Sequence, residues 1–131
     1  MNPTKSATGK MRVLIVEDEL LVRMFAVDAL EDAGFDVEQA GTASEAINSL
    51  KQLSGELHAV IVDLGLPDRA GDQLAGDLRT IKADLPIVIA SGRTEREIRE
   101  RFASDSRVAV LAKPYTASML VDALAEVGVK N

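Results

Sequence analysis

Cysteine is absent from the 131 residues, which excludes disulfides, thiolate nucleophiles, zinc–cysteine sites and iron–sulfur clusters. A chain without thiols suits a reducing compartment and is indifferent to redox. Aromatic residues are scarce: three Phe, one Tyr and no Trp offer no platform on which bases could stack. The formal charge of −6 points the same way, because neutralising phosphates needs clustered Lys and Arg; no direct nucleic-acid partner is expected. No uncharged stretch exceeds about eight residues, whereas a membrane span needs about 18 or more. Val13–Val16 is too short and too soon interrupted to be the apolar region of a secretory leader. The expectation is an acidic, cytoplasmic protein with no membrane segment.

What the chain does have is an ordinary globular share of apolar (47%) and charged (27%) residues. Its length suits one domain, with roughly 6,700 Å² of folded surface expected against roughly 20,300 Å² unfolded. Residues 1–10, polar with Pro, Gly, Ser and Thr, are expected to form a flexible tail ahead of a domain at 11–131. Apolar runs then recur at Val13–Val16, Val37–Ala40, Ala59–Val62, Ile87–Ala90 and Val108–Ala112, reading as buried strands. Between them lie helical patterns. Leu21, Phe25, Ala29 and Ala33 are spaced by four and read as a core-facing stripe, with Gly34 as a stop. Thr42 with Glu45, and Thr94 with Glu97, are capping-box pairs ahead of Ala46, Ile47 and Leu50 and of Ile98 and Phe102. Gln73–Ile81 and Thr116–Val127 complete five strand–helix pairs. Strict alternation of this kind dictates a doubly wound parallel α/β sheet with helices on both faces.

In such sheets ligands bind beyond the carboxyl ends of the strands. The residues there are Glu17 and Asp18 after the first run, Asp63 after the third, Ser91 after the fourth and Lys113–Pro114 after the fifth. Each has an ordinary structural explanation alone: helix-dipole acids, a turn serine, a surface lysine. Together they would place three carboxylates, a hydroxyl and an ammonium on one rim. Carboxylates about 5 Å apart repel by roughly 3 kcal/mol per pair at an effective dielectric of about 20. Lys113 offsets part of this, and a hard divalent cation such as Mg²⁺, which takes oxygen ligands and phosphate, would offset the rest. An all-oxygen acidic cluster beside a lysine suits phosphoryl transfer.

The segments Val13-Leu-Ile-Val-Glu-Asp18, Val60-Ile-Val-Asp63-Leu-Gly-Leu-Pro67-Asp, Ile87-Val-Ile-Ala-Ser91-Gly and Lys113-Pro114-Tyr115 resemble the receiver domain of two-component response regulators over about Met11 to Val127. The resemblance implies a flavodoxin-like (βα)5 fold with strand order 2-1-3-4-5. It implies a phosphoacceptor at Asp63 and a Mg²⁺ pocket made by Glu17, Asp18, Asp63 and the backbone carbonyl of Gly65. Lys113 and Ser91 would bind phosphoryl oxygens, and the Lys113–Pro114 bond would be cis. The implied partners are a sensor histidine kinase or a histidine phosphotransfer protein as donor and a downstream protein as receiver of the signal. The protein itself would be a stand-alone, phosphorylation-controlled binding module with no DNA-binding or enzymatic output domain, not an enzyme, and a monomer or weak dimer.

The sequence departs from many receivers at Val110, where an aromatic residue three positions before the lysine usually swings on phosphorylation. The segment Gly92–Phe102 is then a candidate route for the signal, with Arg93 at the rim and Arg96, Arg99 and Arg101 interleaved with Glu95, Glu97 and Glu100. On the first helix Leu20, Met24 and Val27 form a second apolar stripe, either extra core contact or a docking patch on the face that meets the kinase in the resembled family. His58 is expected at the surface or rim. The alternatives are a receiver segment of a hybrid histidine kinase and a pseudo-receiver scaffold. A flavin carrier is disfavoured, because Glu17-Asp18-Glu19 would repel the cofactor phosphate. A haloacid-type phosphatase lacks its second acid, which Gly65 replaces.

Overall fold

Five strands and five helices alternate along the chain: β1 (Arg12–Val16), α1 (Leu20–Asp32), β2 (Asp36–Ala40), α2 (Ala43–Leu53), β3 (Ala59–Asp63), α3 (Gly71–Ile81), β4 (Ile87–Ser91), α4 (Glu95–Arg101), β5 (Val108–Ala112) and α5 (Ala117–Glu126). This is a computed structural model, and it describes residues 9–53, 55–92 and 95–130. The tail expected at 1–10 therefore lies almost wholly outside the described residues, as do Arg93 and Thr94. The strands form one parallel sheet in the order β2-β1-β3-β4-β5, the expected flavodoxin-like topology.

Each strand's alternation divides the core in two. Val13, Ile15, Ala59, Ile61, Val88, Ala90, Ala109 and Leu111 pack with α1 and α5 through Ala26, Leu30, Leu120 and Leu124. Leu14, Val16, Val60, Val62, Ile87, Ile89 and Val110 point the other way, onto Ala46, Leu50, Leu74, Leu78 and Ile98. The central strands β3 and β4 are buried at every position, while the edge strand β2 is mostly half-buried, which is why β2 accommodates Asp36, Glu38 and Gln39 along its length.

Helix ends follow their local chemistry. Gly34 and Gly128, both at positive φ (94° and 86°), terminate α1 and α5. In each the residue beyond the glycine, Phe35 or Val129, donates its N–H back to Leu30 or Leu124, and the glycine N–H bonds Glu31 or Ala125. This double closure satisfies carbonyls that the helix leaves open, and it buries Phe35 and Val129. At α2 the Glu45 N–H bonds the Thr42 hydroxyl (3.2 Å), while the Glu45 carboxylate accepts from Gly41 N–H rather than from Thr42 (2.9 Å). The expected box is present but reaches one residue further back.

Two expectations fail. Leu21 and Phe25 do not face the core: they are 80% and 44% exposed. The buried arc of α1 is Ala26, Ala29 and Leu30. At about 100° per residue, each step of four drifts by about 40°, so Phe25 and then Leu21 rotate off that arc, and a stripe of strict fours cannot stay on one face. His58, expected at the surface or rim, is buried at the amino-terminal edge of the sheet, where its Nδ1 accepts the Arg12 N–H (3.1 Å). It precedes a central strand covered on both sides, so even its first flanking residue is enclosed.

Gly71 opens α3 directly against the end of β3. A Cβ built there would stand 2.5 Å from the Asp63 carbonyl oxygen and 2.7 Å from Leu64 Cα, both backbone atoms that cannot swing away. Gly71→Ala is expected to destabilise the fold by about 1–3 kcal/mol through overpacking, read as a lower urea midpoint at unchanged slope.

Candidate functional site

The carboxyl ends of β1, β3, β4 and β5 bring Glu17, Asp18, Asp63, Ser91 and Lys113 together, as the strand-end reading expects. Asp18, Asp63, Gly65, Ser91 and Lys113 line one open pocket of about 590 Å³. Glu17 (1% exposed), Asp63 and Ser91 are buried, and Asp18 is exposed. The Lys113 ammonium donates to Glu17 Oε1 and to Asp63 Oδ1, each at 3.0 Å. Asp63 Oδ2 lies on the Gly65 side, 3.7 Å from where a Cβ on Gly65 would stand.

Backbone geometry aims these groups. Lys113 N–H bonds the Ser91 carbonyl (2.9 Å), carrying the β4–β5 ladder one step past the strands, and Leu64 N–H bonds Ala90 (2.9 Å), holding Asp63 level with them. The Lys113–Pro114 peptide is cis. Glu17 is fixed from three sides: its N–H bonds Ala40 (3.0 Å), its Oε2 accepts from Glu19 N–H (3.1 Å), and its carbonyl accepts from the Arg23 guanidinium (2.8 Å).

The electrostatics follow from burial and proximity. Burial pushes the Glu17 carboxyl above its usual range, and the Asp63 charge adds to this, against the Glu19 N–H and the Lys113 ammonium. Burial works against the charge of Lys113, but its hydrogen bonds to Asp63 and Glu17 prevail and hold it above the ordinary lysine value. The Tyr115 phenol is pushed up to about 12 by burial, with the Glu17 charge adding to it. Glu17, Asp18 and Asp63 each offer a carboxylate oxygen, all within 4.8 Å of one another. Such a hard, all-oxygen donor set could hold a divalent cation.

Three contributors escape the sequence reading. Asp68 accepts the N–H groups of Ala43 (2.8 Å) and Ser44 (3.2 Å), so the loop after Asp63 caps α2, and the Ala43 bond above all holds the Asp68 carboxyl below its usual range. A turn residue with a partner 25 positions upstream leaves no periodic trace. Arg23, the one basic residue of α1, braces Glu17, and Gly71 admits α3 beside Asp63; a solitary charge and a glycine eight residues after the acid were their only signals. Beside the pocket, Leu21, Val22, Phe25, Pro114 and Tyr115 line an apolar groove of about 420 Å³. The Phe25 and Tyr115 rings lie 6.1 Å apart there.

The structure thus combines a 2-1-3-4-5 parallel sheet with an acidic pocket closed by a lysine. The chain belongs to the response regulator receiver domain family, whose model matches residues 13–125. It is 32% identical over 119 residues to the sensor kinase CckA of Brucella abortus, covering 91% of this chain and 13% of that protein. It is 34% identical over 125 residues to the transcriptional regulatory protein PdtaR of Mycobacterium tuberculosis, covering 93% of this chain and 60% of that one. The chain thus spans only part of these relatives. A response regulator receiver protein from Sinorhizobium medicae superposes with a TM-score of 0.78 at 27% identity, over 92% of this chain and 96% of that one. The chemotaxis protein CheY4 of Vibrio cholerae shares the fold, with a TM-score of 0.81 at 24% identity over 90% and 98%. Among the described residues, no helix is long and apolar enough to cross a membrane.

Because the folded-state pKa of Glu17 is raised, its ionisation costs stability. That cost is absent below the unfolded value near 4.5 and grows as pH rises from there through the folded value. Glu17→Gln is therefore expected to raise the urea midpoint of the metal-free protein at pH 7 and to flatten the fall in stability between pH 4 and 7.

Proposed function

We propose that the domain, residues 11–131, takes a phosphoryl group from a phosphohistidine donor onto Asp63, in the presence of Mg²⁺, and thereby switches its contact with a partner protein or passes the group onward. The observation that carries this reading is the lysine ammonium 3.0 Å from both Glu17 and Asp63, at a rim where three carboxylate oxygens converge. In the transfer an Asp63 oxygen forms the new O–P bond as the P–N bond of the phosphohistidine breaks. The imidazole leaves with the electron pair and takes up a proton.

The chain's own residues do the positioning and charge neutralisation that such a loose transition state asks for. Glu17, Asp18, Asp63 and the Gly65 carbonyl would hold the cation. Bound there, Mg²⁺ would supply neutralisation of the charge gathering on the phosphoryl oxygens. Lys113 gives its ammonium to a phosphoryl oxygen while keeping Glu17, and Ser91 at the end of β4 gives its hydroxyl to another. The donor would be a histidine kinase or a histidine phosphotransfer protein. Its docking surface would be the apolar side of α1, where Leu20, Leu21, Met24 and Phe25 are exposed beside the groove against Pro114 and Tyr115. The likeness to both a sensor kinase and transcriptional regulators supports the shared input chemistry and leaves the output to experiment.

Incubation with acetyl phosphate and Mg²⁺ is expected to add about 80 Da to the intact protein, one phosphoryl group, and to add nothing to Asp63→Asn or in EDTA. No gain in the wild type, together with no binding of Mg²⁺ by calorimetry, would leave a phosphorylation-independent scaffold. Leu21→Glu is expected to slow transfer from a phosphohistidine protein by tenfold or more, on the order of one lost interface hot spot, while leaving labelling by acetyl phosphate unchanged.

A further inference from the structure

The wall of the pocket opposite β1 carries an ion pair that the proposed chemistry does not use. Arg101, in the last turn of α4, bonds Asp72, in the first turn of α3, and both side chains line the same pocket as Asp63, Ser91 and Lys113. Among the described lining residues the acids are Asp18, Glu19, Asp63, Asp72 and Glu97, and the cations are Lys113 and Arg101 alone. Lys113 is already committed to Glu17 and Asp63. Among the described lining residues Arg101 is thus the other positive charge, and the Asp72 carboxylate holds it.

We propose that Arg101 is a second phosphoryl-facing cation, kept on Asp72 until Asp63 carries a phosphoryl group and shared with that group thereafter. The inference rests on Asp63 being the phosphoacceptor. A phosphoryl group brings close to two negative charges and three acceptor oxygens, a better match for a planar guanidinium fork than a single carboxylate at the rim. Arg101 is free to make the exchange: its side chain is 54% exposed, and α4 is a seven-residue helix whose buried anchor is Ile98. A further tether of α4, from the Arg99 guanidinium to the Val110 carbonyl at 3.1 Å, leads to β5 and not into the phosphate's path. Asp72 is consequently a competitor for Arg101, and the pair sets how readily the site accepts phosphate.

The test is the initial rate of labelling by acetyl phosphate with Mg²⁺, followed by intact mass, in a double-mutant cycle. Arg101→Gln is expected to slow labelling about three- to fivefold, the scale of a half-exposed ion pair, and Arg101→Lys to recover most of that loss. Asp72→Asn is expected to speed labelling by a similar factor, and Asp72→Asn in the Arg101→Gln background to do nothing. Arg96→Gln, on the same helix but paired with Glu100 away from the pocket lining, is expected to match the wild type. A gain from Asp72→Asn that persists without Arg101 would mean that only the pocket's overall charge matters, and would overturn the proposal; so would an Arg101→Gln rate equal to that of the wild type. If Asp72→Asn melts early by circular dichroism, the comparison of Gln with Lys at 101 decides alone. A wild type that takes up no mass overturns this proposal, and one that also binds no Mg²⁺ overturns the phosphoacceptor reading with it. A wild type that labels without coupling overturns only the proposal.

Discussion

One ammonium group organises the carboxyl edge of this sheet. Glu17 and Asp63 arrive on separate strands, both buried, and their charges would force the edge apart were Lys113 not placed between them at 3.0 Å from each. The lysine reaches that position because β5 pairs with β4 as far as Ala112 opposite Ser91, and its own N–H extends the ladder to the Ser91 carbonyl. The sheet's register thus aims the charge, and the charge permits the acids. A buried carboxylate costs heavily unless it is paired and hydrogen-bonded, and Glu17 is both. Its carboxyl is nevertheless held above its usual range, because burial outweighs the Glu19 N–H and the Lys113 ammonium.

The fold was legible because its signals are local and repeated. Apolar runs flanked by charge mark strands buried on both sides, and the five observed strands differ from the five runs by a residue or less at either end. The strand ends were legible for the same reason, since topology alone brings Glu17, Asp18, Asp63, Ser91 and Lys113 to one rim. Long-range pairing was not. Asp68 capping α2, Arg23 bracing Glu17 and Arg101 joining Asp72 each depend on where distant elements pass one another, and no spacing rule encodes that. The first helix shows a different failure. Its apolar residues outnumber the places its packing arc can bury, so composition announced a core face while geometry left Leu20, Leu21, Met24 and Phe25 outside.

Val110 illustrates how a missing side chain redistributes a task. It is buried on the α2–α3–α4 face of the sheet, in the same cluster as Ile98 of α4, and its backbone carbonyl accepts from Arg99. A valine has no ring to move between two positions, so under the proposed function a response at this point would fall to the helix as a body. The fourth helix suits this: it is short, its outer surface is charged, and arginines hold it at Val110 and at Asp72.

The loop after Asp63 has the opposite character. Gly71 seats α3 against the Asp63 carbonyl with no room for a methyl group, and Asp68 clasps the start of α2 with two N–H bonds. The pocket therefore lies between a closely packed loop and a short helix held by arginine contacts. Were Asp63 to carry a phosphoryl group as proposed, the new charge would meet little give on the loop side, where Gly71 and Asp68 lock the backbone, and the yielding would fall to α4.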